Sequence, residues 1–394
     1  MLKSLKFKRT AAALFAAAVV IPSTLSVPAQ AATTIKIGVI TSTSGPLASY
    51  GSAFVDAFEW GLNYYTNGTM KVAGAKLSVV KKDDGADPTT ATAAFKEMVS
   101  DGVKIITGTA SSGVALTLGP LAEQNKVLYI SGPAKSDAVT SSKNKYVFRS
   151  GNTSFQDFAP LAGIPKIKGK KVILFVEDNA FGLGNIAAAK ATLAPKGANF
   201  VEIKVPTSAT DFTPYAKRAA DASGDYIFIA WSNAGTSALL FKTLAQQGSY
   251  AKAVPITGLA GVAAYDAYGT FFEGFPAILS SSYFPGASTT NVSKALDAGF
   301  KKAGKSQDLF TPTGVDAARM VVKALQKNKA QNVDQMITRL EGFSWVGLKG
   351  KMQIRATDHV VIQPMYIAKL VKQSNGSYLP LKTKTITNVA TPQS

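Results

Sequence analysis

The sequence predicts an α/β protein of two doubly wound lobes, each built on a parallel sheet. Short apolar stretches alternate with helical patterns along most of the 394-residue chain. Stretches that start near residues 35, 77, 103 and 127 are echoed by a second series near 171, 199, 225 and 254. Strands alternating with helices read as βαβ units, whose right-handed crossovers lay the strands parallel. The length suits two domains of ordinary size.

In the first series residues 35–40 are an apolar strand. Residues 54–65 follow as a helix, with Phe54, Phe58, Trp60 and Leu62 on one face. Residues 77–80 are the second strand. Asp87 and Pro88 then open a helix as N-cap and first-turn proline. Residues 103–107 and 127–131 are the third and fourth strands. The second series runs through strands at 172–176, 199–205, 226–230 and 254–257, with a helix from about 184 to 193. The last third mixes helices at 291–303, 314–327 and 333–340 with strands at 351–354 and 360–370. That remainder is too small for a domain of its own. It is expected to complete both lobes, the chain crossing between them more than once. The expected division is 32–152 plus 284–344 for the first lobe and 153–283 plus 345–383 for the second, with 384–394 a polar tail.

Residues 1–31 read as a secretory signal peptide: Lys3, Lys6, Lys8 and Arg9, then an apolar run over 11–21, then Ala29-Gln30-Ala31 as the cleavage pattern. The run is shorter than the roughly 17–25 residues of a membrane span. An exported chain that does not span a membrane is expected. With no cysteine in the sequence there is no lipid-anchor Cys, no disulfide framework, no thiolate zinc site and no Cys nucleophile. The formal charge of +19 becomes +15 without the four positive residues of the leader. The lysines are scattered, and export argues against nucleic acid as a partner.

Doubly wound sheets bind ligands at the carboxyl ends of their strands, beside the switch point between the first and third strands of a flavodoxin-like order. Three loops with hydroxyl and small residues converge there in the first lobe: 41–51, 108–113 and 131–136. The second starts a helix, with Ser111 and Ser112 both N-cap candidates. Free N–H groups and the helix dipole make that start a place for an anion; an ordinary βα turn with a capping Ser is the bland alternative. Ser44 and Tyr50 in the first loop join the candidates. The matching loops of the second lobe, 177–184, 231–235 and 258–263, carry Phe181 and Trp231. An aromatic wall opposite a polar one suits a small carboxylate.

Over residues 34–375 the chain resembles the periplasmic solute-binding proteins of branched-chain amino acid ABC transporters. The resemblance rests on Ile35-Lys36-Ile37-Gly38-Val39 followed by Ser44-Gly45-Pro46-Leu47-Ala48-Ser49-Tyr50-Gly51. Asp83-Asp84, Tyr146-Val147-Phe148-Arg149-Ser150, Phe181-Gly182-Leu183-Gly184, Asp211-Phe212, Gly314-Val315-Asp316-Ala317, Arg355 and Asp358-His359 follow in the expected order. It implies a type I periplasmic binding protein, two lobes joined by a three-strand hinge and closing on a ligand, with an ABC permease as partner. It also implies that Ser112, Pro133 or Ala134, and Lys135 hold a ligand carboxylate, that Phe181 closes over it, and that Trp231 or Ser232 contributes. The acid that pairs an amino acid's ammonium should fall within 258–261, where this chain has Leu259 and Ala260. That departure favours an organic or aromatic acid over leucine or valine; the alternative is that Glu177, Asp178 or Asp266 supplies the missing charge.

Arg149 reads as structural, and His359, the single histidine, as a turn or β-edge residue. With no second His and no Cys, no usual zinc site assembles, and no metal or cofactor is expected. No dinucleotide fingerprint follows the first strand and no nucleophile elbow is present, and no catalytic residues are assigned. A monomeric binding protein is therefore expected. A ligand-sensing receptor of the same fold and an exported α/β enzyme are the alternatives.

Overall fold

A computed structural model describes residues 33–141, 144–163, 167–259, 261–328 and 331–392. The leader expected at 1–31 lies outside these residues. Among the described residues no helix is long and apolar enough to cross a membrane.

The first lobe begins with β1 (Thr34–Thr41), α1 (Ala48–Tyr65), the two-residue β2 (Lys71–Val72) and β3 (Ala75–Asp83). It continues with α2 (Pro88–Ser100), β4 (Ile105–Gly108), α3 (Ser112–Asn125), β5 (Leu128–Ser131), α4 (Ala138–Ser141) and β6 (Val147–Arg149). The sheet order is β2-β3-β1-β4-β5-β6. Every pairing in it is parallel except that of β2 with β3. Order reverses at β1, between β3 and β4, so the switch point lies where the sequence places it.

The second lobe repeats the plan. It holds α5 (Ser154–Phe158), β7 (Lys171–Glu177), α6 (Ala180–Leu193), β8 (Asn199–Val205), α7 (Thr213–Ala222) and β9 (Tyr226–Ala230). Then come α8 (Ala234–Gln246), β10 (Val254–Gly258), α9 (Tyr265–Phe271) and β11 (Ile278–Ser281). The parallel order β8-β7-β9-β10-β11 matches that of the first lobe. The likeness extends to single glycines. A Cβ on Gly51 would lie 1.8 Å from the Ser42 carbonyl oxygen, and one on Gly182 would lie 1.8 Å from that of Glu177. In each lobe the helix after the first strand approaches the strand's end so closely that only glycine fits.

The chain then returns through α10 (Asn291–Lys302), α11 (Thr311–Leu325), α12 (Val333–Leu340), β12 (Ser344–Gly347), β13 (Gly350–Ile354), β14 (Val361–Lys372) and β15 (Tyr378–Val389). Met320, Val321, Leu325, Met336 and Leu340 complete the first lobe's core with Ile37, Ile105 and Phe148. Trp345, Met352 and Ile354 belong to that core too, although the expected division gives 345–354 to the second lobe. The Trp345 indole explains this, donating at 2.8 Å to Asp316 on α11. Strand β14 begins in the first core at Val361 and reaches the second at Tyr366 and Ala368. The lobes are thus joined after β6, after β11 and along β14. The expected tail is also corrected: residues 384–389 are strand, the outer half of β15, paired antiparallel with β14. The strand is exposed along most of its length, so no alternation of apolar residues marks it.

Candidate functional site

The carboxyl ends of both sheets face one cleft of about 420 Å³. From the first lobe, Tyr50, Ser111, Ser112, Pro133 and Lys135 line it, and from the second, Phe181, Trp231, Ser232 and Leu259. Two other candidates do not. Ser44 is exposed; the Asp83 carboxylate accepts its N–H at 3.2 Å and that of Thr43 at 2.8 Å, holding the loop at the rim. Ala134 is 1% exposed, and its N–H is already given to the Thr109 carbonyl. Ala260 lies outside the described residues.

The floor is set by how α3 starts. Ser111 is the N-cap, its hydroxyl accepting from the Val114 N–H at 3.4 Å. Ser112 is the first helical residue, and its hydroxyl accepts the Ser136 N–H at 3.2 Å. A hydroxyl that accepts in this way still has its own proton to give. The first-turn N–H groups of Ser112 and Gly113 have no partner within the helix, and both residues line the cleft. The loop before α3 is anchored by Asp84, which is fully buried and accepts from the Ser42 hydroxyl at 2.6 Å, the Ala86 N–H at 2.8 Å and the Thr109 hydroxyl.

Lys135 is not a bare charge. Its ammonium lies 2.9 Å from Asp157 on α5, with the two side chains 10% and 8% exposed. Asp157 also accepts from Asn152 Nδ2 at 2.8 Å. An ammonium has three protons, so the pair leaves Lys135 donors for a ligand while cancelling most of its charge. Arg149 supports this region from behind. Fully buried, it donates to Thr140 Oγ1 at 3.0 Å and to the carbonyls of Ser136 at 2.7 Å and Ala134 at 3.4 Å. Burial lowers its pKa to about 10, against the pull of Asp137. His359 lies away from the cleft, stacked on Phe148 with ring centroids 3.7 Å apart at a turn with φ +59°.

Aromatic side chains form the walls. Tyr50 meets Phe310 edge-on at 5.0 Å, and Trp231 meets Phe212 at 5.2 Å. The Trp231 indole N–H is held by Thr236 Oγ1 at 3.0 Å. Burial raises the pKa of Tyr50, with the charges of Asp308 and Glu177 adding to it, so its phenol stays protonated.

Leu309 and Phe310 enter the cleft from the segment before α11, and Asp157 from α5. Sequence reasoning missed all three. Phe310 lies 260 residues beyond Tyr50, the ring it meets (310 − 50), and no local signal foretells that meeting. Glu177 also lines the cleft and is 3% exposed. Its carboxylate accepts from the Ser232 N–H at 3.2 Å, the Ser232 hydroxyl, Asn179 Nδ2 at 2.9 Å and the Asn233 N–H at 3.1 Å. The signal for it was its place at the end of the second lobe's first strand.

A model of the family described as periplasmic binding protein matches residues 34–376. The chain belongs to that family. Periplasmic binding proteins similar to it include the Leu/Ile/Val-binding protein homolog 6 of Brucella melitensis, 24% identical over 93% of this chain and 95% of its own length. A solved ABC-type branched-chain amino acid transporter protein of Rhodopseudomonas palustris is 31% identical with a TM-score of 0.74, covering 90% of this chain and 97% of that one. A solute-binding protein of an ABC transporter from another strain of that species, in complex with 3,4-dihydroxybenzoic acid, is 28% identical with a TM-score of 0.78, covering 91% and 99%. Periplasmic binding proteins of these kinds are binding proteins of ABC transporters, and the type I fold of two α/β lobes is common to them and to this chain.

Proposed function

We propose that this periplasmic binding protein captures a small organic acid, best an aromatic one, and presents it to an ABC permease. The observation that carries the reading is the pairing of an anion-seeking floor with aromatic walls. The first-turn N–H groups of α3, the Ser112 hydroxyl and the spare protons of Lys135 can meet a carboxylate. Phe181, Trp231 and Phe310 offer faces and edges to a ring. The cleft of about 420 Å³ suits a ligand of that size. A similar binding protein with 3,4-dihydroxybenzoic acid bound supports the same class of ligand. Pro133 and Leu259 shape the cleft without polar side chains of their own.

An amino acid is the second reading, favoured by the Glu177 carboxylate on the cleft wall and by the Leu/Ile/Val-binding relatives. Isothermal titration with benzoate-type acids beside leucine, isoleucine, valine and phenylalanine tests the choice. Micromolar binding of an aromatic acid, with the amino acids silent, is the expected outcome. Binding of an amino acid alone would overturn it.

A further inference from the structure

We infer that Glu177 is a specificity-determining residue of the cleft: it accepts a hydrogen bond from the ligand and selects an aromatic acid with a ring hydroxyl over one without. The inference rests on the aromatic-acid reading of the site. Glu177 ends β7, and its two oxygens are unequally loaded. Oε2 accepts from the Ser232 hydroxyl, the Ser232 N–H at 3.2 Å and Asn179 Nδ2 at 2.9 Å. Among the described residues Oε1 accepts only the Asn233 N–H, at 3.1 Å. All of these donors belong to the second lobe and fix the carboxylate in one orientation. A carboxylate oxygen has two lone-pair positions, so Oε1 keeps one. Buried acceptors are ordinarily filled; this one belongs to a residue that lines the cleft.

The unequal loading decides what Glu177 can read. A ligand hydroxyl brings one proton to one lone pair. An ammonium brings three, and two would need acceptors elsewhere. A second carboxylate on the ligand meets a like charge that the protein has fixed in place. The site therefore prefers a hydroxylated aromatic monoacid, then the unsubstituted acid, then a dicarboxylate.

Glu177→Gln changes the atom that matters. Three donors converge on the Oε2 side, so a glutamine must turn its carbonyl oxygen there. Its NH2 then replaces Oε1 and offers the ligand a donor in place of an acceptor. The test is isothermal titration of the protein and of Glu177→Gln with 4-hydroxybenzoate, benzoate and 4-fluorobenzoate. The fluoro acid fills the hydroxyl's space without its proton. The protein should bind 4-hydroxybenzoate about tenfold or more tightly than the other two, the worth of a hydrogen bond to a charged group. In the variant the hydroxyl can only accept from that NH2, a neutral bond in place of one to a charged group, so the preference should shrink severalfold. Equal affinity for the hydroxy and fluoro acids, or a preference undiminished in Glu177→Gln, would overturn the inference. The comparison of those two acids needs only the unaltered protein, so it stands even if the variant misfolds. Binding of all three alike overturns the role of Glu177 alone; binding of none overturns the aromatic-acid reading itself.

Discussion

Ser111 and Ser112 are neighbours of one residue type, and the structure gives them separable tasks. The Ser111 hydroxyl caps α3 through the Val114 N–H at 3.4 Å. Loss of an N-cap costs about 0.5–2 kcal/mol of fold stability, and so long a bond puts Ser111→Ala near the low end. Ser112 carries two loads. Its oxygen accepts the Ser136 N–H at 3.2 Å, and Ser136 is 3% exposed, so Ser112→Ala leaves a buried donor unpaired at about 1–3 kcal/mol. Its proton is free for a ligand carboxylate, and a hydrogen bond to a charged group contributes about 1.5–3 kcal/mol. Ser112→Ala should therefore lose at least about tenfold in affinity for a benzoate-type acid. Ser111→Ala should keep nearly all its affinity while melting slightly lower. Calorimetric titration of both variants, each first checked for a cooperative thermal transition, separates the effects. Unchanged affinity in a folded Ser112→Ala, or an equal loss in Ser111→Ala, would refute the assignment of the anion site to the first turn of α3.

Three further outcomes are expected. Asp157→Asn breaks the ion pair with Lys135, whose side chains are 8% and 10% exposed, and should cost about 3–5 kcal/mol in denaturant unfolding, as broken buried pairs do; a loss below about 1 kcal/mol would show the pair to behave like a surface one. Burial raises the Asp316 pKa from 3.8 to about 7, against the Trp345 hydrogen bond and the Lys349 charge. A folded pKa raised in this way contributes stability that is full below about pH 4 and is lost as pH rises to about 7. Asp316→Asn lacks that loss, so wild-type stability relative to the variant should fall across this window by up to about 1.4 kcal/mol per pH unit; parallel pH profiles would contradict it. Gly182→Ala puts a Cβ 1.8 Å from the Glu177 carbonyl oxygen and should destabilise by about 1–3 kcal/mol or more; an unaltered melting temperature would mean that α6 moves freely against β7.

What was legible in the sequence was local or periodic. The strand order follows from repeated βα units, and Asp87 caps α2 as read, its carboxylate accepting the Thr90 N–H at 2.7 Å. Helix starts were read late wherever glycine intervened. Helix α1 starts at Ala48 and runs through Gly51; α6 starts at Ala180, with Asn179 as its cap, and runs through Gly182. Glycine has poor helix propensity. In the fold these two are needed for close approach, and tertiary packing outweighs propensity. Strand β15 was illegible for the opposite reason: its residues are mostly exposed, so burial imposes no pattern on them. In the site, the loops at the switch point could be foreseen because topology places them. The partner of Lys135 could not, since Asp157 lies 22 residues further on in the opposite lobe.

That partner changes how charge works in the cleft. Read from the sequence, Lys135 is a positive charge awaiting an anion. In the fold it is matched by Asp157, and Glu177 is matched by four neutral donors of its own lobe. An unliganded cleft with bare buried charges would be costly, and this one avoids that cost. What remains for a guest is a set of unused valences: first-turn N–H groups, one hydroxyl proton, spare ammonium protons and one carboxylate lone pair. Such groups discriminate by geometry more than by net charge. A ligand whose carboxylate and hydroxyl are held apart by a rigid ring could meet donors in one lobe and the acceptor in the other at once. A flexible ligand would lose more conformational entropy to do the same. Rigidity of the ligand then becomes part of the selection, because only a ligand that spans the cleft meets both sets of valences.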